Sequence, residues 1–69
     1  MGESIYKIIE LVGTSATSWE DAAKSAVEKA SGSLRELRVA EVGKLDMTID
    51  NGKVALYRAR VTISFKFES

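Results

Sequence analysis

The chain has 69 residues, 45% of them hydrophobic, and its ten basic and ten acidic side chains balance to a formal net charge of zero. A chain this short makes one domain and buries only about 60% of its unfolded surface, so association is a common remedy. Its neutrality argues against nucleic acid as a partner, which needs a basic footprint. With no cysteine and no histidine, disulfides and thiolate or imidazole metal sites are excluded. No apolar run approaches transmembrane length and Met1 to Lys7 lack a signal-peptide pattern, so the expected location is cytoplasmic, with no membrane partner.

Ile5 to Val12 reads as a strand rich in β-branched and aromatic residues. Ile5, Ile9 and Leu11 occupy one face and Tyr6, Ile8 and Val12 the other, which predicts burial on both sides, within the subunit and between subunits. Gly13 to Ser18 breaks the pattern with small polar residues and reads as a loop. Ser18, with Asp21 three residues on, looks like a helix N-cap in which an acidic residue replaces the usual Glu or Gln. Trp19, Ala22, Ala23, Ala26, Val27 and Ala30 recur at helical spacing, so a helix runs from about Trp19 to Ser31, and Gly32 stops it. Its buried stripe is mostly alanine, which lets the axis lie close to a sheet, and Trp19 fills the wider end.

A second strand, Leu37 to Ile49, changes parity: Ala40 and Val42 are apolar at even positions, Leu45, Met47 and Ile49 at odd ones. One extra residue at Gly43-Lys44, a β-bulge, reconciles the halves. Asp50-Asn51-Gly52-Lys53 invites a two-residue Asn-Gly turn, but that register pairs Ile49 with Val54 and mixes the faces. A three-residue loop, Asp50-Asn51-Gly52 with Gly52 left-handed, is therefore expected. It pairs Ile49 with Lys53, Met47 with Ala55 and Leu45 with Tyr57, then Val42 with Ala59 and Ala40 with Val61. Glu41 then stands opposite Arg60 on the outer face, with Asp46 near Arg58.

The last strand, Val54 to Phe67, alternates strictly, with Ala55, Tyr57, Ala59, Val61, Ile63, Phe65 and Phe67 on its buried face. At about 3.3 Å per residue it would reach roughly 46 Å, whereas a compact domain of this length has a radius of gyration of about 11 Å. Such a strand must curl or lie against other subunits. The fold class expected is α+β, in the order β-α-β-β: a three-stranded antiparallel sheet wrapped around one helix.

Catalysis finds little support. Nucleophilic chemistry would need Ser or Thr activated by Lys or a carboxylate, and no spacing suggests it. The loop Gly13 to Ser18 could cradle a phosphate through backbone N–H groups. It lacks the glycine pattern of a nucleotide fingerprint, so a capping loop is favoured. Both aromatic residues that could stack RNA bases, Tyr57 and Phe65, belong to the buried parity. Glu41, Asp46 and Asp50 offer hard oxygen ligands for Ca²⁺ or Mg²⁺. Within one subunit, cross-strand ion pairs with Arg60 and Arg58 are favoured, and a metal site needs carboxylates from several subunits.

Tyr6-Lys7, Glu10-Leu11-Val12-Gly13-Thr14-Ser15, the Ala-rich helix, Leu37 to Val42, Tyr57 and Ser64-Phe65-Lys66-Phe67 follow one another in an order that resembles the dodecins. The resemblance spans nearly the whole chain, residues 1–69 as a single dodecin-like domain. It implies a hollow homododecamer. Flavin-binding dodecins carry an outward tryptophan on the second strand, to stack on the isoalloxazine, and a glutamine just after the third-strand tyrosine. Those positions hold Val39 and Arg58 here. Valine has no stacking face, and arginine donates hydrogen bonds but accepts none. The chain is similar in this to the calcium dodecin branch, which also lacks the tryptophan and has arginine after the tyrosine. The resemblance thus implies a non-enzymatic assembly that binds, stores or buffers a small ligand or a divalent cation, calcium. The alternative is a flavin or coenzyme A binder with an altered pocket. Asp46, outward beside the bulge, and Glu41 are the candidate metal ligands.

Overall fold

The protein, described by a computed structural model over residues 5–66, forms strand β1 (Tyr6–Ser15), helix α1 (Trp19–Ser31), strand β2 (Leu37–Asp50) and strand β3 (Lys53–Lys66). This is the expected β-α-β-β order. β3 lies in the middle of the sheet, antiparallel to β1 on one side and β2 on the other. Phe67, expected to end the last strand, lies outside the described residues.

Helix α1 begins where its capping chemistry dictates. Ser18 Oγ accepts the Asp21 N–H at 3.0 Å, satisfying one of the unpaired amides of the first turn. Asp21 does not close the reciprocal half of a capping box. Its carboxylate instead accepts the Ser15 hydroxyl at 2.7 Å, and Ser15 Oγ accepts the Thr17 and Ser18 amides at 2.9 and 3.3 Å. Ala22, Ala26 and Ala30 pack on Ala59, Val61 and Ile63 of β3 to form the buried core.

The alanine stripe brings α1 so close that a Cβ on Gly13 would lie 2.0 Å from the Ala22 carbonyl oxygen. This explains a difference from the sequence expectation. Gly13, Thr14 and Ser15 are not loop but the last residues of β1, paired with Ala59, Arg58 and Tyr57. The glycine at 13 reflects the approach of the helix rather than the end of the strand.

The bulge at Gly43-Lys44 is present: Val42 pairs with Val61 and Leu45 with Ala59, leaving both bulge residues opposite Arg60. The three-residue loop is not. Asp50 pairs with Lys53 across a two-residue Asn51-Gly52 turn, whose φ angles of 53° and 74° are both positive. That is the turn whose twist matches antiparallel strands. The parity conflict is resolved in β3 instead. Ile49 pairs with Val54 but Thr48 with Leu56, so Ala55 is a second bulge, and the Leu56 amide donates to Thr48 Oγ1 at 3.1 Å. Ile49 is displaced by one residue, from Lys53 to Val54, and every partner beyond the Ala55 bulge by two: Met47 faces Tyr57, Ala40 faces Ile63 and Glu41 faces Thr62. A shift of two preserves the faces, so Leu45 and Met47 stay on the helix side and Glu41 on the outer side.

The chain measures 56 × 20 × 14 Å with a radius of gyration of 14.4 Å, well above the roughly 11 Å of a compact chain this size. One helix cannot cover such a sheet. Val42, Leu45, Met47, Ile49 and Val54 extend beyond it on its own side, exposed. The expectation that both faces of β1 are buried is met on one side only within the chain. Ile9 and Leu11 pack against the core, while Tyr6, Ile8 and Val12 of the other face are 50–64% exposed, as is Ile5 just before the strand.

Candidate functional site

The outer face of the sheet is built in rungs across β1, β3 and β2. Ile8, Ser64 and Val39 make one, Glu10, Thr62 and Glu41 the next, Val12 and Arg60 with the bulge a third, and Thr14, Arg58 and Asp46 the fourth. All four candidate residues, Val39, Glu41, Asp46 and Arg58, stand on this face. Val39 is 62% exposed and presents no ring.

Arg58 and Asp46, directly opposite each other, form a two-pronged ion pair: Arg58 Nε donates to Oδ1 at 2.7 Å and Nη2 to Oδ2 at 2.8 Å. Both side chains are about half exposed. The hydrogen bond from Arg58 is the main cause that holds the Asp46 carboxyl below its ordinary value; desolvation opposes it, and the nearby charges of Arg58 and Arg60 add to the lowering. Arg58 is raised in turn, chiefly by the same hydrogen bond.

The expected Glu41–Arg60 pair does not form. With Glu41 opposite Thr62 and Arg60 opposite the bulge, the ion pairs among the described residues are Arg58–Asp46 and the local Arg38–Glu36. The structure likewise keeps the two candidate metal ligands apart, on rungs separated by the bulge. No group of three carboxylates able to hold a metal ion occurs among the described residues. Asp46 is a hard oxygen donor of the kind calcium takes, but both its oxygens are held by Arg58, and a six- to eight-oxygen shell needs further donors beside it.

The Gly13–Ser18 segment is no phosphate cradle. The Thr17, Ser18 and Asp21 amides are bonded to serine hydroxyls and the Ala22 amide to the Ser18 carbonyl, with the Asp21 carboxylate alongside. A groove of about 310 Å³ between β1 and α1, lined by Leu11, Gly13, Thr14, Ser25, Ala26 and Lys29 among others, holds none of the candidate residues.

Sequence reasoning missed one contact. Trp19, expected simply as a large ring in a core or subunit contact, donates its indole N–H to the Asp46 carbonyl oxygen at 3.0 Å. Its ring meets Tyr57 edge-on at 5.2 Å and 74°. A half-buried indole N–H needs an acceptor, but no spacing reveals which one.

A sequence model described as Dodecin matches residues 5–68. Calcium dodecin of Mycobacterium tuberculosis is 46% identical over 63 residues, 91% of this chain and 89% of the relative. Dodecin of Thermus thermophilus is 36% identical over 64 residues, 93% of each chain. Among solved structures, dodecin from Streptomyces coelicolor superposes with a TM-score of 0.93 at 33% identity, covering 100% of this chain and 99% of the other. The calcium dodecin of M. tuberculosis, described as calcium chelating with a novel calcium-binding site, superposes with a TM-score of 0.84 at 47% identity over 94% and 93% of the two chains. No helix among the described residues is long and apolar enough to cross a membrane.

Proposed function

The chain belongs to the dodecin family, and we propose that it is a non-enzymatic homododecameric binding protein that stores or buffers a small ligand or a divalent cation, calcium in particular. The observation that carries this reading is the outer-face pair. Where a flavin site would offer a ring and an amide, this chain has an exposed valine and an arginine tied to an outward carboxylate. That arrangement withholds a stacking face from a planar ring, and its outward carboxylate is an oxygen donor of the kind calcium takes once Arg58 releases it. The calcium named in the M. tuberculosis relative points the same way.

Assembly is part of the reading. Apolar side chains exposed on both faces of an elongated chain call for a cover that further copies can supply. Copies in contact could also bring Asp46 and Glu41 carboxylates of different chains together. Ser15, the buried hydroxyl, is committed to Asp21 and to two amides, which supports a capping rather than a nucleophilic role.

The test is to purify the protein without added ligand and measure its mass by light scattering, its visible spectrum, its bound metals and its uptake of calcium from CaCl₂. A colourless dodecamer that takes up calcium stoichiometrically is the expected result. A stable monomer sinks the assembly. A yellow protein, or one indifferent to calcium, sinks the cation reading.

A further inference from the structure

We propose that Arg58 is the built-in competitor of the Asp46 site: its guanidinium occupies the place a divalent cation would take, and the cation enters by displacing it. This rests on the cation-binding reading above and names what regulates that site. Arg58 and Asp46 stand directly opposite each other on β3 and β2. Nε and Nη2 donate to the two carboxylate oxygens at 2.7 and 2.8 Å. The two-oxygen contact that calcium can make with a carboxylate is thus already made by the guanidinium.

The surroundings favour the internal cation. Arg60 stands one rung away on the same face, roughly 7 Å along the strand, and makes no ion pair among the described residues. The next carboxylates on this face, Glu10 and Glu41 beside Thr62 and Asp50 at the hairpin turn, are two rungs away, roughly 13 Å. A divalent cation reaching Asp46 therefore meets one carboxylate and two guanidinium groups. That neighbourhood is net positive with Arg58 in it and neutral without. The competition is nonetheless soft. The Arg58 and Asp46 side chains are 42% and 52% exposed, and an exposed pair shifts an equilibrium by at most about fivefold. A displaced guanidinium also stays in water, so its release strands no buried charge. Calcium thus binds when it is abundant enough to replace Arg58 and leaves when it is not, which suits a buffer.

The test is calorimetry with CaCl₂ at fixed ionic strength on the full chain as wild type, Arg58→Gln and Arg60→Gln. Arg58→Gln should bind calcium about two- to fivefold more tightly than wild type. Arg60→Gln removes an equal charge from the same face without freeing the Asp46 oxygens, so its gain should be smaller. An Arg58→Gln protein that binds no more tightly than wild type, or an equal gain from Arg60→Gln, overturns the proposal and leaves the cation reading standing. A wild type that ignores CaCl₂ beside an Arg58→Gln protein that takes it up upholds the competitor and overturns the cation reading for the native chain. Indifference of both proteins overturns both. The wild type also gives a readout that needs no variant. As calcium is taken up, the Arg58 Nε–H signal in NMR should pass into exchange with water, and a signal still protected at calcium saturation overturns the proposal.

Discussion

Gly13→Ala is the most direct probe of the close packing that organises the fold. The added Cβ would lie 2.0 Å from the Ala22 carbonyl oxygen and 3.0 Å from both the Ala22 carbonyl carbon and the Ala26 Cβ. Real Cβ contacts of this kind do not fall below about 3.0 Å, so α1 must withdraw from β1 by about 1 Å. The obstacle is backbone, and no rotamer change relieves it. Overpacking of this sort costs about 1–3 kcal/mol. Withdrawal also parts Ala22 and Ala26 from Ala59 and Val61, where the core has no longer side chains to fill the gap. In a domain of this size each kcal/mol lowers the melting temperature by about 4–8 °C, so a drop between about 4 and 24 °C is expected. The assay is thermal unfolding followed by circular dichroism at fixed protomer concentration, since association contributes to apparent stability. Gly52→Ala is the reference: its φ is +74° with open space around it, so its cost is conformational alone, about 1 kcal/mol. A Gly13→Ala protein that melts within about 2 °C of wild type would refute the close-packing argument.

The double change Val39→Trp with Arg58→Gln restores a ring and an amide to the outer face. It should raise flavin affinity by roughly one to two decades, the worth of one stacking ring, as read by quenching of riboflavin fluorescence; strong quenching by submicromolar wild-type protein would contradict the reading. The depressed Asp46 carboxyl gives the pH dependence its sign. The ion pair stabilises above the ordinary carboxylate value and is lost only as pH falls through the lower folded value, so the Arg58 Nε–H signal should survive at about pH 4 and disappear in stronger acid. Its loss near neutrality would show that the pair does not persist in solution. Glu41→Gln should change unfolding free energy by no more than about 0.5 kcal/mol, because Glu41 faces Thr62 and makes no ion pair among the described residues; a larger loss in urea unfolding would reveal a partner from another copy.

The elements were legible because each rests on a local rule. Ser18 before Trp19 announces a cap, the Ala22, Ala26 and Ala30 spacing a helix, and the alternation after Val54 a strand. What could not be read was which of two equivalent solutions the hairpin takes. An extra residue in the loop and an extra residue at Ala55 both leave Leu45 and Met47 on the helix side, so the hydrophobic pattern does not distinguish them. The deciding term is the tolerance of Asn51 and Gly52 for positive φ, 53° and 74°, which makes the two-residue turn accessible and moves the compensation into β3. The Gly13 signal was misassigned for a related reason. A glycine beside Thr and Ser reads as a loop unless the position of Ala22, nine residues on, is already known.

This difference bears on how much of the candidate site a sequence can disclose. The face of a strand residue depends on parity, which the hydrophobic alternation records at every second position. Its partner depends on the cumulative count of bulges and turn residues between the two strands, which the alternation does not record. A slip of two therefore left Val39, Glu41, Asp46 and Arg58 on the outer face and changed who stands beside whom. Glu41 exchanged Arg60 for Thr62, and Asp46 came directly opposite Arg58. The Trp19 contact is more remote still, joining a helix start to a strand carbonyl 27 positions along the chain. Hydrophobic periodicity thus selects the residues that share the outer face. Their ion pairs and hydrogen bonds follow from register and are set by Asn51-Gly52, Ala55 and the Gly43-Lys44 bulge.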